Sequence, residues 1–134
     1  SSKDRKFITK TFSGNYENYE FIQLSYKNSD PKKIIQEING GIQYPNNINE
    51  CLKIAKDIIH QVSQLFPNTI KKDWGKYKRA DGKGHYFPVT FDFKDKSRAM
   101  VSCHDFTEKT KIKDNLKVSL HSSKLSLYLQ SKNK

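Results

Sequence analysis

The chain has 134 residues, 34% of them hydrophobic and 12% aromatic, enough for one packed core and too rich in Phe and Tyr for a disordered segment. No run approaches the roughly 18 apolar residues of a membrane-spanning helix. The opening SSKDRKF lacks the apolar core of a secretory signal, so export would need a signal outside these residues. The formal charge of +11 is uneven: residues 1–66 hold 9 basic and 7 acidic side chains, residues 67–134 hold 16 and 7. Such a field favours a polyanionic partner, whether nucleic acid, an anionic membrane or an acidic protein.

In chain order, KFITKTFSGNYENYEFIQLSYK reads as two strands around a turn at Ser13 to Asn18. SDPKKIIQEINGG starts like a short helix: Ser29 or Asp30 can cap it, Pro31 suits its first position, and Gly40 and Gly41 stop it. The clearest helix is NINECLKIAKDIIHQVSQLF, where Cys51, Ile54, Ala55, Ile58, Val62 and Leu65 share one face and His60 lies opposite. Pro67 ends it. A basic connector follows, with a short helix expected around Ile70 to Tyr77 and a turn at ADGKG.

From HYFPVTFDF onward the period changes from helix to strand. Phe87, Val89, Phe91 and Phe93 form one face; AMVSCHDF continues the sheet; LKVSLHSSKLSLYLQ reads as a closing hairpin with His121 at its tip. The expected fold is α+β, a single domain over residues 1–134. Residues 1–66 form a mixed strand and helix half, and 67–134 a basic, mainly sheet half. N-terminal helices would pack on one face of a four- to five-stranded antiparallel sheet, leaving the other face to solvent. Cys51 and Cys103 read as small buried hydrophobes, not as a disulfide or a metal pair.

Strand parity decides what the open face carries. If Val101 and Cys103 face the core, Ser102 and His104 face away. Pairing Phe91 with Val101 then gathers Tyr86, Thr90, Asp92, Ser102, His104, Lys117, Ser119, Ser126 and Tyr128, with Arg98 at the rim. Cleaving RNA without a metal needs a base for the 2′-hydroxyl, an acid for the leaving 5′-oxygen, and cations or hydroxyls on the phosphorane. His104 is the expected proton-transfer residue, with His121 or His85 as a second. Thr90, Ser102, Arg98, Lys117 and Tyr128 would hold the phosphate. Trp74, Tyr77 and Tyr86, interleaved with Lys71, Lys72, Lys76, Lys78, Arg79 and Lys83, could stack bases and hold phosphates.

This plan of helices followed by a basic antiparallel sheet with a polar face resembles the small RNase toxins of the barnase, EndoU, colicin E5 and RelE group. These occur as C-terminal domains of contact-dependent inhibition and other polymorphic toxins. The resemblance covers roughly residues 30 to 130. It implies metal-independent cleavage of RNA, often tRNA, with no cofactor. It also implies an acidic immunity protein as partner, and export within a larger toxin that acts in the target-cell cytoplasm. The glutamate that serves some members as general base has no place on the open face, which leaves His104 as the base.

Two other readings compete. Asp92-Phe93-Lys94 resembles the D-x-K end of a PD-(D/E)xK nuclease, with Asp81 or Glu50 as a second carboxylate for Mg²⁺. Alternatively the basic aromatic segment binds single strands without cutting them. No GxGxxG or Walker pattern is present, and no His or Cys pair has zinc-ligand spacing.

Overall fold

A computed structural model describes residues 7–16, 19–44 and 47–125. Its elements are β1 (Phe7–Tyr16), β2 (Tyr19–Lys27), β3 (Ile35–Gln43), α1 (Ile48–Leu65), β4 (Ile70–Asp73), β5 (Tyr77–Lys78), β6 (Gly84–Asp92), β7 (Arg98–Phe106) and β8 (Asn115–His121). All the strands join one eight-stranded sheet in the order β1-β2-β3-β8-β7-β6-β4, with β5 also pairing β6, and every pairing is antiparallel. The α+β class stands, with two corrections. The sheet is larger than four or five strands, and its one main helix lies between strands instead of preceding them. Among the described residues no helix is long and apolar enough to cross a membrane.

The helix forms where its pattern places it. Asn47 caps it, its side-chain oxygen accepting from Glu50 N at 3.2 Å. Cys51 and Ala55 are buried against Val89, Phe91, Ala99, Val101, Cys103 and Leu116. Ile48, Leu52, Ile58, Ile59 and Val62 pack around them, whereas Leu65 is exposed. This face carries the hydrophobic stabilisation, roughly 25 cal/mol for each Å² of apolar surface removed from water.

The segment expected as a helix from Ser29 is a turn followed by strand β3. The Asp30 carboxylate accepts from Lys32 N at 2.9 Å and Ile34 N at 3.0 Å, closing a turn, and Lys33 takes a left-handed φ of 52°. The Asp-Pro pair thus caps a turn where the sequence suggested a helix start. The expected helix around Ile70 is likewise a pair of strands. The main chain breaks between β4 and β5, at Gly75 with φ 71°. Trp74 N donates there to Pro88 O at 3.1 Å, the side of β6 on which proline lacks a donor. Among the described residues the expected closing hairpin does not appear, and the rest of its second strand lies outside them. After His121 the chain leaves the sheet, Ser122 Oγ accepts from Leu125 N at 3.1 Å, and residues 123–125 are helical. Val118 faces Gly40 and Val101 in register, so β3 and β7 take both edges of β8. Ser126 and Tyr128 lie outside the described residues.

Cys51 and Cys103 form a disulfide, with Cα atoms 6.1 Å apart. The expectation of two small buried hydrophobes that do not pair is therefore corrected. Both positions are apolar and fully buried as expected, and 52 residues of separation concealed that α1 crosses β7 at that point.

Candidate functional site: a polar sheet face and a basic groove

Strand parity assigns the faces correctly, with a two-residue slip in register. Val89 pairs Val101, Thr90 pairs Met100, Pro88 pairs Ser102 and Tyr86 pairs His104. A slip of two keeps every side chain on its face. The polar face is therefore real, but it is larger than expected because β1, β2 and β3 extend it. Its rows run across the sheet. One joins Thr9, Ser25, Glu37, His121, Arg98 and Asp92; the next joins Thr11, Gln23, Asn39, Ser119, Met100, Thr90 and Lys72; a third includes Gly41, Lys117 and Ser102.

This face is not an open solvated surface. Ser25, Asn39, Thr90, Ser102, His104, Ser119 and His121 are all buried, because longer side chains lie across the short ones. Phe21 occupies the space a Cβ on Gly41 would need. Trp74 lies over Thr90, donating Nε1–H to Oγ1 at 2.9 Å.

His104 is built into this cover. Arg79 Nη1 lies 2.7 Å from its Nδ1, and Ser102 Oγ lies 2.9 Å from its Nε2. Guanidinium only donates, so Nδ1 accepts and the ring proton sits on Nε2, donating to Ser102. Tyr86 and Phe106 stack on the ring, and Arg79 covers Phe106 in turn. Burial, reinforced by the charges of Lys117 and Arg79, lowers the imidazole pKa to about 3. With both nitrogens engaged, His104 is a neutral positioning group for Arg79. It is not the solvated imidazole its parity suggested. His85 falls on the opposite face, in parity with Phe87, and faces Asp105 and Lys78 in register.

The depressed pKa has a stability consequence. Between pH 6.5 and about 3 the unfolded chain binds a proton at His104 that the folded chain refuses, so stability falls as pH drops through that window. We expect a loss of about 2 kcal/mol by pH 5 from this group. A pH series of thermal midpoints checks it: His104→Gln should flatten the decline between pH 7 and 5, and an unchanged decline would contradict the assignment.

His121 is not at a hairpin tip. It ends β8 between Glu37 and Arg98 in register, and its buried Nε2 lies 2.7 Å from Glu37 Oε2, a close ion-pair contact whose angle falls short of a hydrogen bond. The other Glu37 oxygen accepts from Ser25 Oγ at 2.8 Å, and Thr9 Oγ1 lies 2.8 Å from Ser25 Oγ. Burial raises the Glu37 pKa, but the contacts with His121 and Ser25 and the Lys117 charge outweigh it, leaving the carboxyl below its ordinary value. Glu37 was missed because its segment read as helix. The usable signal was the alternation of Glu37, Asn39 and Gln43 with Ile38 and Ile42.

Lys117 stands on the same face. Burial, with Arg79 adding to it, lowers its pKa against the opposing pull of Glu37. Among the described residues its ammonium has no hydrogen bond or ion pair. Asn39 Oδ1 is also buried without a donor among the described residues.

Beside this cluster lies a groove of about 1160 Å³, lined by Lys72, Trp74, Tyr77, Lys78, Tyr86, Thr90, Lys94, Lys96, Arg98 and Met100 among others. Of the expected nucleic-acid contacts, Lys72, Trp74, Tyr77, Lys78 and Tyr86 line it; Lys71, Lys76, Arg79 and Lys83 do not. Arg98 joins the two regions, paired with Asp92 at 2.6 Å on the groove side and next to His121 in register. Of the carboxylates proposed for Mg²⁺, Asp92 is held by Arg98 and Asp81 by Arg79 at 2.8 Å, which draws the Asp81 pKa down to about 2. Among the described residues no three His, Cys, Asp or Glu side chains form a metal-ligand group.

Comparison with known proteins finds no matching family model, no matching curated protein and no matching solved structure. The functional reading therefore rests on these side chains.

Proposed function

We propose that this chain is an endoribonuclease that cleaves RNA by acid–base attack of the 2′-hydroxyl, with His121 in the proton-transfer role first expected of His104. The observation that carries it is the Glu37–His121 pair on a polar face that also holds Lys117, partly buried and, among the described residues, without an ion pair. Glu37 fixes the Nε2 side of the ring, leaves Nδ1 as the exchanging atom, and stabilises the imidazolium that forms. Lys117 places a desolvated cation where phosphorane charge develops, and its lowered pKa suits it to protonate the leaving 5′-oxygen. Arg98 guides the phosphate from the groove to this pair.

These groups supply both proton transfers and the charge stabilisation, so RNA cleavage should continue in excess EDTA. Activity lost to chelation and restored by Mg²⁺ would transfer the chemistry to Asp92 and its neighbours. The toxin context, the tRNA substrate and the acidic immunity partner belong to this same proposal; the +11 charge supports an acidic or polyanionic partner.

A further inference from the structure

We infer that the groove beside β4 and β5 takes an unpaired nucleic-acid strand, with one base stacked on Tyr77 and backbone phosphates along the strand on Lys72 and Arg98. The inference names the substrate form for the site above and rests on that reading only for its place beside the cleavage centre; binding is tested without cleavage.

Four aromatic residues line the groove; Phe93 packs against the core and edge-on to Phe66, and two of the other three have a face already occupied. Lys72 Nζ sits 3.7 Å from the centre of the Trp74 ring, whose Nε1–H is spent on Thr90. Tyr86 lies parallel to His104, 7° between planes. Tyr77 is different. Trp74 meets it at 87° and Tyr86 at 67°, so neither stacks on it, and it is 44% exposed. An exposed ring held upright by two edge contacts is a platform with little rotamer freedom left to lose. Lys72, Lys78, Lys94, Lys96 and Arg98 line the same groove, against Asp92, which Arg98 already holds. Stacking needs a base outside a duplex, and the cations need a backbone close by. A double helix offers the second feature but keeps its base faces covered.

The test is fluorescence anisotropy at low salt with a labelled twelve-nucleotide DNA strand, which lacks the 2′-hydroxyl and so binds without being cut. A blunt duplex of the same length and a hairpin-free RNA serve as comparisons. The single strand should bind at least several-fold more tightly than the duplex. Tyr77→Ala should weaken single-strand binding about 5- to 150-fold, the range for losing one stacked base, while leaving duplex binding unchanged. Tyr77→Phe, which keeps the ring, should bind as wild type does. Equal binding of duplex and single strand, or an unchanged affinity in Tyr77→Ala, would overturn the inference. Loss of RNA cleavage with single-strand binding intact would count against the endoribonuclease and leave this groove standing.

Discussion

Replacing His121 by Gln should reduce single-turnover RNA cleavage by about 10²- to 10⁴-fold, the usual worth of a general acid or base. Glutamine can still donate to Glu37, so the partly buried carboxylate keeps a partner and the fold should hold. Alanine would be the poorer probe, because removing one member of a buried pair costs about 3–5 kcal/mol and confuses stability with chemistry. The matched control is His104→Gln, which can still bond Ser102 and Arg79. Its cleavage should stay within about tenfold of wild type, since a neutral imidazole with both nitrogens engaged has no proton-transfer step to lose. The opposite ranking, His104 essential and His121 dispensable, would return the chemistry to the first expectation.

The second large effect is on stability. The Cys51–Cys103 bond closes a loop across 52 residues and ties α1 to the central strand β7. By loop-closure entropy such a cross-link stabilises the fold by about 4 kcal/mol. Reduction should therefore lower the thermal midpoint by roughly 10–20 °C for a chain of this size. Both cysteines are fully buried, so reduction should be slow in the native state and fast once the protein is partly unfolded. Thermal midpoints with and without dithiothreitol, beside the Cys51→Ala/Cys103→Ala double variant, check this. A wild-type midpoint indifferent to reductant would mean that the cross-link does not contribute.

Where a local pattern was also the tertiary pattern, the sequence was readable. The apolar stripe of α1 and the two-residue alternation of Phe87 to Phe93 each point at the same core, so periodicity alone places them. The β1–β2 pair was legible for the same reason. Errors arose where short-range chemistry had two outcomes. Asp30-Pro31 can start a helix or close a turn, and the choice depends on Ile35 to Gln43 finding β2 and β8 as partners. Ser122 can sit in a hairpin or cap a helical turn, and its bond to Leu125 N decides that. Misreading β3 hid Glu37, and without Glu37 nothing raised His121, the candidate second histidine, above His104. Parity placed His104 on the right face but could not reveal that Arg79, 25 residues earlier, folds over it. The disulfide was hidden in the same way, since nothing local marks two distant apolar positions as adjacent.

The most direct measurement is the chemistry of the cut ends. In excess EDTA, RNA should be cleaved to fragments ending in 2′,3′-cyclic phosphate and 5′-hydroxyl, because an internal hydroxyl is the nucleophile, and the same sequence as DNA should bind the groove and remain whole. Fragments bearing 5′-phosphate, cleavage of the DNA strand, or dependence on added Mg²⁺ would contradict a Glu37–His121–Lys117 centre acting on the 2′-hydroxyl.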